Sequence, residues 1–134
     1  MEETPSLDSM ETVVLSFGSN YGNRRENVEK ALAWVDSILT GTMKSGVYET
    51  PEVHGFGASY YNAVACGKSS VGCDELNALL KEYEKACGRN EESRRRKEVP
   101  IDIDIVMWGD KIVRPVDFSR EFFQIGLRQI KPVL

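Results

Sequence analysis

The chain has 134 residues, 41% hydrophobic and 28% charged, with a formal net charge of -4. That length builds one domain with a single core, and the acidic balance excludes a protein that coats nucleic acid or an anionic membrane by global attraction, so any anion site has to be local. Cys66, Cys73 and Cys87 have no CxxC spacing and sit among small or apolar neighbours, and no apolar run has signal or membrane-spanning length, so a reducing cytoplasm is expected.

Residues 1–11 read as a disordered acidic tail, and 12–134 as one domain. Thr12 to Phe17 reads as a first strand, ended by the loop Gly18-Ser19-Asn20-Tyr21-Gly22-Asn23. A helix should follow over 24–39, because Val28, Leu32, Val35 and Leu39 recur at steps of three and four. Met43 to Tyr48 and Tyr60 to Gly67 are further strand candidates, separated by a Gly-rich loop long enough to be functional. Leu76, Leu79, Leu80 and Tyr83 place a second helix within 71–87, stopped by Gly88. The charge density of Arg89 to Glu98 makes a solvent-facing loop, after which Val99 to Val106, VPIDIDIV, returns as a strand. Ile112 to Leu134 adds a short strand or turn and a helix around Arg120 to Gln129, whose placement does not follow from the pattern.

This order predicts an α+β fold, a ferredoxin-like βαββαβ sandwich with an antiparallel sheet and long active-site loops. Helices are expected on one face, leaving the other for a ligand.

VPIDIDIV carries the chemistry. Alternation sends Ile101, Ile103 and Ile105 to one face and Asp102 with Asp104 to the other, their Cα atoms roughly 6.5 Å apart. Like charges at that spacing repel unless a cation lies beside them, and magnesium, which shares hard oxygen ligands with substrate phosphates, answers that need. Taken alone the DxD pattern is short and common, and a solvated acidic face is the simpler reading. Arg89 and the run Arg94-Arg95-Arg96-Lys97 precede the acids. Cations beside metal-binding carboxylates suit a polyphosphate, although a basic run by itself more often only solubilises a loop. A nucleic-acid contact is the third reading, without the aromatic pattern that usually accompanies it.

Asn62 is poorly placed for strand propensity, so it has either a hydrogen-bonding duty toward a planar heterocycle or an edge-strand bond to the adjacent loop. His54 lacks a second ligand at metal spacing and reads as a loop residue. Gly18-Ser19-Asn20 lacks the lysine of a phosphate-binding loop and reads as a turn. Phe122-Phe123 reads as packing.

Gly18-Ser19-Asn20, Tyr48-Glu49-Thr50-Pro51, Tyr60-Tyr61-Asn62-Ala63-Val64, Glu84 with Gly88-Arg89, and Pro100-Ile101-Asp102-Ile103-Asp104-Ile105 together resemble the 6-hydroxymethyl-7,8-dihydropterin pyrophosphokinases. Their order and spacing cover the chain from Val13 to Leu127. The resemblance implies an αβα ferredoxin-like fold and transfer of pyrophosphate from ATP to the pterin hydroxymethyl in folate synthesis. It implies two magnesium ions held by Asp102 and Asp104, and a pterin pocket of Thr50, Pro51, Val53, Tyr60, Asn62 and Phe122. Arg89 is implied at the phosphates and in catalysis, with Glu84, Arg94, Arg95, Arg96, Lys97 and Arg120 on the nucleotide side. A cytoplasmic monomer acting on ATP and the reduced pterin, away from membranes and nucleic acid, is expected.

The chain departs from the family pattern near the acids. Arg96-Lys97-Glu98-Val99 stands where a Trp-Gly-Pro-Arg-like segment is usual, and the Pro-His segment before Arg120-Glu121-Phe122 is absent. Those losses keep open a weakened or inactive homologue that binds nucleotide, pterin or a macromolecular partner.

Overall fold

A computed structural model describes residues 10–55 and 57–130. The elements are β1 (Glu11–Ser19), α1 (Arg24–Trp34), β2 (Thr40–Lys44), β3 (Tyr48–Thr50), β4 (Tyr60–Ser69), α2 (Cys73–Ala86), α3 (Glu91–Arg95), β5 (Asp102–Trp108), β6 (Lys111–Ile112), α4 (Pro115–Ser119) and α5 (Glu121–Ile130). Of the expected tail, residues 1–9 lie outside the described residues, and Glu11 already pairs with Ser69 in β1.

One sheet runs in the order β2, β4, β1, β5, β6, with β3 also on β4, and every pairing is antiparallel. With β1 between β4 and β5, and α1 and α2 as the crossovers, this is the ferredoxin-like arrangement. Val13, Leu15, Phe17, Ala63, Ala65, Ile101, Ile103 and Ile105 project to the face where α1 supplies Val28, Ala31 and Leu32 and α2 supplies Leu76 and Leu80. The isoleucines therefore lie as the alternation in VPIDIDIV requires.

Several boundaries differ from the sequence pattern, each for a local reason. The strand expected over 43–48 is two strands, because Ser45 interrupts the ladder. Its Oγ accepts from Val64 N at 2.8 Å, while Gly46 N donates to Gln129 Oε1 at 2.8 Å. The first helix stops at Trp34 and tightens into a 3-10 turn, Val35–Ser37, before Leu39. The loop expected over 89–98 contains α3, started by a reciprocal cap in which Ser93 N donates to Asn90 Oδ1 and Asn90 N donates to Ser93 Oγ, both at 2.9 Å. At the front of VPIDIDIV, Pro100 has no N–H and Val99 N donates to Asn20 Oδ1 at 2.6 Å, so the regular strand starts at Asp102.

The expectation that helices cover only one face is corrected by α5. Phe123, Leu127 and Ile130 pack on Val14, Val64, Cys66 and Val106. Gly126 permits this approach, since a Cβ there would come within 2.5 Å of Val64 Cγ2. Tyr48 Oη donates to Phe122 O and accepts from Gly126 N, fixing the start of the helix. The result is an αβα sandwich whose second layer covers only one end of its sheet face.

Candidate active site

At the uncovered end of that face, neighbouring strands bring Asp102, Asp104, Ser16 and Asn62 together. Asp102 is opposite Gly18, which is opposite Asn62, and Asp104 is opposite Ser16, which is opposite Val64. The strands that are apolar under α5 thus become polar within one or two residues. Asn62 is buried and donates from Nδ2 to Thr50 Oγ1 at 2.6 Å and to Tyr60 O at 3.3 Å, which orients its amide. Gly18 lies beside it, where a Cβ would be in ordinary contact, 3.4 Å, with Asn62 Oδ1 and the Tyr60 ring.

The acids are held in a web of ions. Arg89 Nη1 donates to Asp102 Oδ1 at 2.7 Å and to Glu84 Oε1 at 3.2 Å. Lys81 Nζ donates to Asp104 Oδ1 at 3.1 Å and to Glu84 Oε2 at 2.8 Å, and Arg114 Nη1 lies 3.9 Å from Asp104 Oδ1. Asp102, Asp104 and Glu84 are therefore paired by Lys81 and Arg89, while Arg114 stands farther from Asp104 than from its own partner Asp117. Even so, burial and then the neighbouring Asp102 carboxyl raise the Asp104 pKa above its ordinary value, against the lowering pull of Lys81 and Arg114. Burial alone would lower the Lys81 pKa, but Asp104, Glu84 and Asp102 raise it above the ordinary lysine value. Arg89 Nε is buried without a hydrogen-bond partner among the described residues.

Two cavities meet beside this web. The smaller, about 250 Å³, is lined by Ser16, Gly18, Thr50, Pro51, Val53, Tyr60, Asn62, Arg120 and Phe122 among others. Its apolar and aromatic walls with a few fixed polar groups suit one small planar molecule. The larger, about 1070 Å³, is lined by Asn20, Arg89, Arg94, Arg96 and Lys97, with Tyr60 and Glu52 shared between the two. Burial, and then the Asp102 charge, raise the Tyr60 pKa.

The model of the 7,8-dihydro-6-hydroxymethylpterin-pyrophosphokinase (HPPK) family matches residues 14–132. The chain belongs to this family. It is 35% identical over 135 residues to the 2-amino-4-hydroxy-6-hydroxymethyldihydropteridine pyrophosphokinase of Aquifex aeolicus, a match covering 92% of the chain and 82% of that protein. It is also 36% identical over 115 residues to a folate synthesis bifunctional protein of Arabidopsis thaliana, covering 80% of the chain and 24% of that protein. A folate synthesis bifunctional protein of Chlamydia trachomatis is 34% identical over 78% of the chain. The chain spans about a quarter of the length of these two bifunctional relatives.

Seen within the HPPK family, Thr50, Pro51, Val53, Tyr60, Asn62 and Phe122 all line the smaller cavity, and Arg89, Arg94, Arg96 and Lys97 all line the larger one. The remaining nucleotide-side candidates lie elsewhere. Arg120 lines the smaller cavity, Arg95 pairs with Glu92 at the surface, and Glu84 is buried with its oxygens on Lys81, Arg89 and Ile103 N. His54 is exposed on the larger cleft, as a loop residue. Asn20 has more than a turn residue's part. Its Nδ2 donates to Lys97 O at 3.1 Å and its backbone N to Val99 O at 2.9 Å, tying the cation loop to the end of β1. Lys81 and Arg114 escaped the sequence reading because only the fold brings a helix lysine and a post-strand arginine to the acids; the i, i+3 spacing of Lys81 and Glu84 was the available signal for the first.

None of the helices among the described residues is long and apolar enough to cross a membrane, and the three cysteines are free thiols.

Proposed function

We propose that the protein transfers the pyrophosphoryl group of ATP to the hydroxymethyl oxygen of 6-hydroxymethyl-7,8-dihydropterin, releasing AMP, as a cytoplasmic monomer in folate synthesis. The observation that carries this reading is the junction itself: a small, orienting cavity abuts a cation-lined cleft whose Arg89 bonds Asp102 of the carboxylate pair. In this reading Asn62, oriented by Thr50, bonds the pterin edge, and Phe122 and Tyr60 cover its rings. Arg89, Arg94, Arg96 and Lys97 hold the polyphosphate, which aligns the pterin oxygen in line with the β-phosphorus.

The donor set fits magnesium. Asp102 and Asp104 offer hard oxygens from one strand face, the kind of donor that magnesium takes. No group of three or more His, Cys, Asp or Glu among the described residues could hold a metal, so nucleotide oxygens and water have to complete the coordination. Two ions so held would offset the charge that develops on the phosphoryl oxygens.

The test is AMP release from ATP with magnesium and the reduced pterin. Asp102→Ala and Asp104→Ala are each expected to lower the rate by about a thousandfold or more, roughly 4 kcal/mol of transition-state stabilisation. Equal rates in wild type and both variants would sink the proposal. Arg96 on the cleft wall, in the segment that departs from the expected family pattern, favours a second reading, a homologue that binds without turnover; calorimetric binding of the pterin without AMP release would establish it.

A further inference from the structure

Lys81 reaches around the free outer edge of β5. Among the described residues β6 pairs only with Met107 and Trp108, so no strand covers the edge beside Ile103, and Lys81 Nζ donates to Ile103 O at 3.0 Å. The same ammonium donates to Glu84 Oε2 at 2.8 Å and to Asp104 Oδ1 at 3.1 Å, and it stands 3.8 Å from Asp102 Oδ1. Its three N–H groups thus have three acceptors. One of them is an oxygen that a metal ion would need.

We propose that Lys81 is the resident counter-ion of the acid pair: it holds Asp102 and Asp104 in place in the unloaded protein and keeps a bare divalent ion out until a polyphosphate carries the ion in. The inference rests on the phosphoryl-transfer reading and deepens it. An ammonium on Asp104 Oδ1 repels a dication on the same carboxylate. Polyphosphate charge offsets that repulsion and offers the ammonium a new acceptor. Lys81 is equipped for such an exchange, because its side chain is 41% exposed and Glu84 remains a partner when Asp104 is released. The two arginines are held differently: the Arg89 side chain is only 21% exposed, and Arg114 is bonded to Asp117. Lys81 is in this account a positioning residue that sets the order of binding.

The experiment titrates manganese into wild type, Lys81→Met and Lys81→Arg, reading free ion by electron paramagnetic resonance, with and without a non-hydrolysable ATP analogue. Without the analogue, Lys81→Met is expected to bind manganese about tenfold tighter or more than wild type, whereas Lys81→Arg stays near wild type; with the analogue the gap narrows to about twofold. Lys81→Gln, neutral but still a donor, repeats the comparison if the methionine variant unfolds on thermal melting. Affinity unchanged or weakened in the neutral variants, while wild type binds manganese with the analogue in an Asp102-dependent way, overturns the Lys81 role and leaves the phosphoryl-transfer reading standing. No manganese binding in any protein, even with the analogue, removes the acid pair as a metal site and the inference with it.

Discussion

The two ends of the sheet face beneath α5 are made from the same three strands and have opposite characters. At one end Val14, Val64 and Val106 are sealed against Phe123, Leu127 and Ile130. At the other Ser16, Gly18, Asn62, Asp102 and Asp104 look into the cavities or into a web of ions. Strand alternation gives both ends the same orientation, so what differs is only what covers them. A ten-residue helix, α5, is long enough to dry one end and leaves the other wet. Stability is concentrated at the first end and ligand chemistry at the second, and substitutions should separate the two.

The largest effect on the dry end is expected from Phe123→Ala. The ring is fully buried, and its loss should cost about 3 to 5 kcal/mol of stability, read by chemical denaturation. Its neighbour Phe122 lines the cavity, so Phe122→Ala should weaken pterin binding and lower stability by less. If the two variants lost equal stability and equal affinity, the division between the ends would be false.

At the wet end, Asn62→Ala removes the amide held by Thr50 and Tyr60 O. Pterin affinity measured by calorimetry should fall about ten- to a hundredfold, corresponding to about 1.5 to 3 kcal/mol for a bond lost in a buried polar site. Unfolding should shift by less than for Phe123→Ala. An unchanged affinity would reduce Asn62 to a strand residue that only ties β4 to β3.

The contrast between the ends also divides what the sequence made legible. The alternation in VPIDIDIV was enough to send isoleucines inward and aspartates outward, because a period of two admits no other arrangement once one face is buried. Asn62, Thr50, Tyr60 and Phe122 were reachable through the family resemblance, and they line one cavity. The placement of α5 was not legible: Phe123, Leu127 and Ile130 make an apolar stripe that fits any exposed apolar surface, and only the close approach at Gly126 selects this one. Lys81 and Arg114 were hidden for a related reason. Their pairing with Asp104 depends on an open strand edge and on the path of the chain after β6, neither of which has a local pattern. Ser45, which splits the expected strand over 43–48, acts through a side-chain bond to a strand almost twenty residues away.

The smallest effect is expected at the boundary between the ends, from Tyr48→Phe. The Tyr48 hydroxyl accepts from Gly126 N at 3.0 Å and donates to Phe122 O, so it pins the turn of α5 where the dry packing gives way to the cavity. Its loss should cost about 1 kcal/mol near neutral pH, as for one net hydrogen bond. Burial pushes the Tyr48 pKa from 10.0 up to about 12, against the weaker lowering pull of the Gly126 amide. An acid whose folded pKa is raised contributes stability that is full below its unfolded pKa and is lost as the pH rises toward the folded one. The advantage of wild type over Tyr48→Phe should therefore hold up to about pH 10 and shrink between pH 10 and about 12. A difference that stayed constant through that window in paired denaturation curves would mean that the hydroxyl is not buried at that turn, and that α5 is held over the dry end by its apolar stripe alone.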